Sequence, residues 1–422
     1  MRRRPWMWMA LIAALALLVL GAGCARDPRG GDDGLNGDDA DDDSGAPSDD
    51  DAGDDAGDDD LGDLFDAYTP PDQRGPYAVG VTTFYLVDAA RFEAWGLRDR
   101  ALPTEVWYPS TGQGGRTNTI AEMVGPLPDW APPIFQGVYG DAFDGLWATA
   151  TTALRDAEIV SGHGRFPVIF FSHGYSAIRF QNYSLCEHLA SHGFVVVAPD
   201  HYANAVFTNI PGQALVPLNP ATVLSSYGDR NEDVAFVYRT LEALDAEPDG
   251  AWSGRLALSR YAVAGHSYGG LTALLAGPSL PFVQAIAPLN PVWVGDFPRV
   301  FGKPFLLLQS ALDGIVGESN EVVKEIFEES ASRRRLRINL LDGWHYSATD
   351  ACLLLPASFR SPATGCDGSM IDTALANQIT EAYVTAFFRA VLTGDDRYVP
   401  YLGENHWTED MELTTAWRDK KK

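Results

Sequence analysis

The chain has 422 residues, 46% of them apolar, and a formal net charge of −26. That is room for one large domain or two small ones around a sizeable core. So acidic a balance argues against nucleic acid as a partner.

The charge is unevenly spread. Asp32–Asp66 holds 17 of the 57 acidic residues and no lysine or arginine. Setting those aside, with the net +4 of the first 31 residues, leaves −13 for the remainder, which is still acidic.

In chain order, Arg2-Arg3-Arg4 precede an apolar run from Trp6 to Leu20, which ends in Gly21-Ala22-Gly23-Cys24. A basic start, an apolar middle and a small-residue close form an export signal over residues 1–23. The run is shorter than the about 20 residues a spanning helix needs. The small residues before Cys24 resemble a bacterial lipobox, although Leu20 sits one place further from the cysteine than usual. The resemblance implies acylation of Cys24 and a lipoprotein held to the cell-envelope membrane; plain secretion and an uncleaved anchor are the alternatives. Residues 24–66 follow as an Asp/Gly-rich linker. Such a segment cannot bury enough apolar surface to offset its ordering entropy, so a disordered spacer is expected. It lacks the D-x-[DN]-x-[DN]-G loop with a closing Glu that would point to calcium.

A catalytic domain is expected over 67–400, with a C-terminal tail at 401–422. Val79–Asp88 and Leu102–Tyr108 read as strands, and a helix is expected near Phe143–Ala157. Pro167–Ser172 is apolar throughout, as for a strand covered on both faces. Phe180–His192 has helical spacing, Phe194–Ala198 is another buried strand, and Asp229–Leu244 is an amphipathic helix. Beyond residue 280 come strands at Phe282–Ala287, Phe305–Gln309 and Leu336–Leu341, with helices at Glu318–Ser330 and Ile371–Leu392. Alternating strands and helices give an α/β fold, mainly a parallel sheet with helices on both faces. Functional groups then belong at the carboxyl ends of strands.

The sharpest signal is Arg260–Gly270, RYAVAGHSYGG. An apolar strand meets G-x-S-x-G and then a helix, the setting in which that pattern makes a nucleophile elbow. Serine needs an adjacent base, and the imidazolium that forms needs a carboxylate. In this fold the order along the chain is serine, acid, histidine. His345, just past a strand, is favoured as base over His406 in the tail. Asp313 ends the strand before it and is favoured as acid, with Asp296 as competitor. The oxyanion donors expected are the main-chain N–H groups of Tyr268 and of Tyr175, in the loop after Pro167–Ser172. His173 and His201 read as structural, and His266 as structural or pocket-lining. Tyr175, Trp293 and Trp344 fall near strand ends and could line an acyl pocket. Cys352 and Cys366 lie close together in a loop-like stretch, and an exported chain permits a disulfide between them. Cys186 reads as a buried thiol. No C-x-x-C or H-E-x-x-H spacing indicates a metal, and no cofactor is expected.

From Leu102 to Leu392 the chain resembles an α/β-hydrolase. The stretch PVIFFSHGYSAIRFQNYSLCEHLASHGFVVVAPDH, with GHSYGG, resembles the platelet-activating-factor acetylhydrolases, and LPTEVWYP is typical of related bacterial esterases. The resemblance implies a carboxylic ester hydrolase with Ser267 as nucleophile and Tyr175 and Tyr268 as oxyanion donors. It departs at Pro288-Leu289-Asn290-Pro291, where the plasma-type acetylhydrolases carry their acid. Asp313 and Gly343-Trp344-His345 instead resemble bacterial cutinase-like polyester hydrolases and dienelactone-hydrolase relatives. The expected substrate is a small-molecule or lipid ester. Alternatives are an amidase or peptidase with the same triad, or a catalytically silent surface binding protein.

Overall fold

The run Phe166–Ser172 (β5) is buried at every position. Ile169 and Phe171 join one apolar core and Val168 and Phe170 the other, because alternate side chains leave a strand on opposite faces. A computed structural model describes residues 61, 63, 65, 67–162, 164–222, 226–295 and 302–417. The export signal, Cys24, the linker up to residue 60 and Asp296 lie outside the described residues.

Around β5 the neighbouring strands are Val195–Pro199 (β6) and Leu256–His266 (β9), both parallel to it. Val283–Leu289 (β10), Phe305–Ser310 (β11) and Arg334–Leu340 (β12) continue the parallel run beyond β9. On the other flank, Arg98–Ser110 (β2) pairs antiparallel with β6 and, as a long hairpin, with Ala78–Glu93 (β1). Among the described residues, eleven strands make this one sheet. Tyr183–Ser191 and Thr373–Leu392 cover one face, packing Leu185, Leu189, Ile379 and Phe387 against it. Tyr227–Ala246, Tyr268–Ser279 and Ser319–Glu329 cover the other, with Val237, Leu274 and Ile326. This is the mainly parallel α/β arrangement expected. No helix among the described residues is long and apolar enough to cross a membrane.

Three expectations need correcting. The helix expected near Phe143–Ala157 is a short one, Ala142–Trp147, followed by a strand, Ala150–Arg155. The consecutive Thr151-Thr152 suits an extended chain, and the strand pairs with β1. The tail at 401–422 is not separate from the domain. Met411–Trp417 is the antiparallel edge strand beside β12, with Met411 in the core and Leu413 and Trp417 packed on it. The packed domain also takes in residues before 67. Leu61 and Phe65 are buried in the second core, and the Arg389 guanidinium lies 4.4 Å from the Phe65 ring centre.

Candidate active site

The strand β9 ends at His266, and the helix Tyr268–Ser279 begins one residue after Ser267. Ser267 therefore has to turn the chain alone. It does so at φ 57° and ψ −115°, a conformation that L-residues other than glycine seldom adopt. The flanking glycines are required by space. A Cβ on Gly269 would fall 1.9 Å from the Ser172 carbonyl oxygen, and one on Gly265 would fall 2.5 Å from the Gly269 carbonyl oxygen. The turn is gripped on both sides, since Ser267 N–H donates to the Leu289 carbonyl and Val292 N–H donates to that of Ser267.

His345 and Asp313, far apart in sequence, meet at the ends of β12 and β11. His345 Nδ1 lies 2.7 Å from Asp313 Oδ2, and both side chains are buried. The other Asp313 oxygen accepts from the N–H groups of Ile315 and Val316 at 2.9 and 3.2 Å. Burial pushes this carboxyl up, but the His345 charge and hydrogen bond and these two N–H groups outweigh it, holding the carboxyl below its ordinary value. Asp313 is thus the partner of His345. His345 lies beside the elbow, its ring centre 4.7 Å from that of His266. Ser267 and His345, both among the described residues, share no hydrogen bond in the structure.

The loop after β5 faces the elbow. A Cβ on Gly174 would lie 3.5 Å from Ser267 Cβ. The N–H groups of Tyr175 and Tyr268 make no hydrogen bond among the described residues, so both remain able to donate. The Tyr175 hydroxyl is turned away, donating to the Asn219 carbonyl at 2.9 Å.

Beneath this loop lies a buried polar network. Ser172 Oγ is 2.8 Å from His201 Nε2, and His201 Nδ1 is 2.8 Å from Asp233. The order imitates a nucleophile, base and acid, but Ser172 is fully buried and no substrate can reach it. Burial and the Arg230 charge lower the His201 pKa to about 3, so the ring is a neutral spacer. Arg230 donates to the His173 carbonyl at 2.6 Å and lies 4.7 Å from the Tyr268 ring centre, joining the loop to the elbow helix. His173 braces the same loop, accepting from His201 N–H at 3.0 Å.

Tyr175 and Trp293 come together in a small apolar cluster with Tyr268, Leu271 and Leu275. Trp344 is held differently, between Gly314 and Gly365, where an added Cβ on either glycine would fall 2.6 Å from it. It therefore packs between the loop that carries Asp313 and the loop closed by the Cys352–Cys366 disulfide. Cys186 is a buried free thiol. Among the described residues no group of three or more His, Cys, Asp or Glu could hold a metal ion. Sequence reasoning missed Gln181, Arg230 and the use made of Asn290. Asn290 Nδ2 donates to the His345 carbonyl at 3.1 Å. The one available signal was the presence of polar residues beside otherwise apolar strand ends.

Residues 65–240 match the family model described as platelet-activating factor acetylhydrolase, isoform II. The matched segment includes the loop at His173–Tyr175 and ends before Ser267. Among solved structures, a ferulic acid esterase from Streptomyces cinnamoneus is similar at 25% identity and a TM-score of 0.65, over 81% of this chain and 96% of that one.

Proposed function

We propose that this chain, an α/β-hydrolase of the esterase type, cleaves carboxylic esters through an acyl-serine intermediate on Ser267. The observation that carries the reading is the 2.7 Å contact between His345 and Asp313 beside a serine held at positive φ.

On this reading Ser267 Oγ attacks the ester carbonyl carbon while its proton passes to His345 Nε2. Asp313 keeps the ring proton on Nδ1 and stabilises the imidazolium. The oxyanion accepts from the N–H groups of Tyr175 and Tyr268, each worth about 3–4 kcal/mol when preorganised. His345 then protonates the departing alkoxide, which leaves as the alcohol. Water attacks the acyl-serine, giving its proton to His345, which passes it to Ser267 Oγ as the acyl–oxygen bond breaks and the carboxylic acid departs. Tyr175, Trp293 and the apolar residues around them offer a wall for a small or moderate acyl group. The likeness to proteins named for acetyl and ferulic acid esters supports an ester as substrate.

Ser267→Ala should abolish hydrolysis of p-nitrophenyl acetate and labelling by a serine-directed fluorophosphonate, with an unchanged circular dichroism spectrum. Full activity in that variant would refute the assignment. For location, the reading is an envelope lipoprotein acylated at Cys24. A Cys24→Ser variant should move to the soluble fraction, and persistence with the membrane would remove the lipid anchor.

A further inference from the structure

His266 stands inside the elbow, yet it cannot reach a substrate: its ring is fully buried and both nitrogens are engaged. Its contacts form a chain with one permitted direction. The N–H of Gly174, in the loop that carries Tyr175, donates to Gln181 Oε1 at 2.9 Å. The amide oxygen of Gln181 is thereby fixed, so its Nε2 must donate to His266 Nδ1, 2.8 Å away. That nitrogen therefore holds the lone pair, and the ring proton sits on Nε2. The Nε2–H in turn donates to the main-chain carbonyl of His345 at 2.7 Å. An N–H that can only donate closes one end and a carbonyl that can only accept closes the other. No second arrangement of protons satisfies all the partners.

We infer that Gln181 and His266 are positioning residues, forming a two-link relay that holds the oxyanion loop and the main chain of His345 in fixed register across Ser267. The inference rests on the function proposed above. The relay spans the two groups whose separation matters most to that chemistry, the donor that meets the oxyanion and the ring that moves the proton. Asn290 adds a second donor to the same His345 carbonyl. The relay also stays uncharged. Burial and the nearby His345 charge lower the His266 pKa to about 3, and a second ring proton would point at the Gln181 amide protons. A neutral ring here does not oppose the positive charge His345 takes up during turnover.

The test uses Gln181→Met and His266→Asn, singly and together. Met keeps the length of Gln181 without its hydrogen bonds; Asn offers Gln181 an acceptor but is too short to reach the His345 carbonyl. Active sites are counted with a fluorophosphonate, so that misfolded protein does not enter kcat. Each single variant should lose about 10- to 100-fold in kcat on p-nitrophenyl acetate, the scale of a misplaced reacting group, while KM moves less than about threefold. The double variant should be no worse than the poorer single one within about threefold, because one relay is being cut twice. Losses that multiply would show two independent packing effects and overturn the relay. So would a kcat within about twofold of wild type in either folded single variant. If wild-type protein fails to label at Ser267, the hydrolase reading falls and the relay with it. If wild type labels and the variants turn over normally, only the relay falls.

Discussion

On the proposed mechanism, replacing Asp313 by Asn changes almost no volume yet should nearly silence ester hydrolysis. One Asp313 oxygen accepts from two main-chain N–H groups, those of Ile315 and Val316. In the variant the amide oxygen must stay there, since an NH2 group would face two donors. The amide nitrogen then takes the place of Oδ2, 2.7 Å from His345 Nδ1, and donates to it. The imidazole is driven into the tautomer with its proton on Nε2, the atom that in the proposed mechanism accepts from Ser267. A wrong tautomer of this kind costs about 10⁴-fold in kcat, or about 5 kcal/mol of transition-state stabilisation. KM should change little, because Asp313 is not placed to touch the ester. The assay is p-nitrophenyl acetate hydrolysis at neutral pH by protein whose folded fraction is measured by circular dichroism and thermal unfolding. A loss smaller than about tenfold in folded protein would show that Asp313 does not set the tautomer, and the chemistry built on it would fail.

Gly269→Ala should cost more than about 4 kcal/mol or prevent folding, since its Cβ would overlap the Ser172 carbonyl, whereas Gly145→Ala, in open space on a helix, should stabilise by about 0.5–1 kcal/mol. Equal melting temperatures for the two would contradict the elbow packing. The Cys352–Cys366 disulfide closes a loop with a sequence separation of 14, so Cys352→Ser with Cys366→Ser should lose about 3 kcal/mol in urea unfolding. An unchanged midpoint would mean that the loop is held by packing alone. Asp350 is buried, accepting from Ser184 and Asn377, and burial raises its pKa to about 7. A raised carboxyl gives stability that is complete below its unfolded value near 3.8 and lost as pH rises to about 7, by a few kcal/mol at most, roughly 1.4 per pKa unit. Asp350→Asn should flatten that part of the urea-midpoint profile, and an unaltered slope would assign it to another group.

The sheet was legible because its central strands are continuous apolar runs, and the elbow because its geometry requires glycine at Gly265 and Gly269. Ala150–Arg155 reads as helix in the sequence since Ala, Leu and Arg are helix formers, and pairing with β1 on one side and Arg116–Thr119 on the other overrides them. Met411–Trp417 escaped notice because an edge strand is half polar and gives no apolar run. Leu61 and Phe65 lie in a short stretch crowded with aspartates, and only the core they enter identifies them. The proposed grouping of Ser267, Asp313 and His345 comes from their order along the chain, and the structure joins the last two by a hydrogen bond. The relay through Gln181 and His266 could not be read that way, because two of its three hydrogen bonds join residues 85 and 79 positions apart, and nothing local marks which amide meets which ring.

Asn290 explains why a carboxylate at its position would not serve this histidine. The ends of β10 and β11 are neighbours, so either could in principle present an acid to a base on the loop after β12. Asn290 sits at φ 42°, a left-handed conformation that Asn tolerates well, with its N–H on the Leu308 carbonyl. Its amide nitrogen thereby reaches the main-chain carbonyl of His345 and not the ring. A carboxylate there would set acceptor against acceptor. The two strand ends have therefore divided the work: one supplies a charge to the imidazole, and the other supplies a neutral donor to the backbone behind it. Moving the acid from one strand end to the other would require the whole loop around His345 to turn over, because the relay through His266 fixes the direction of that carbonyl.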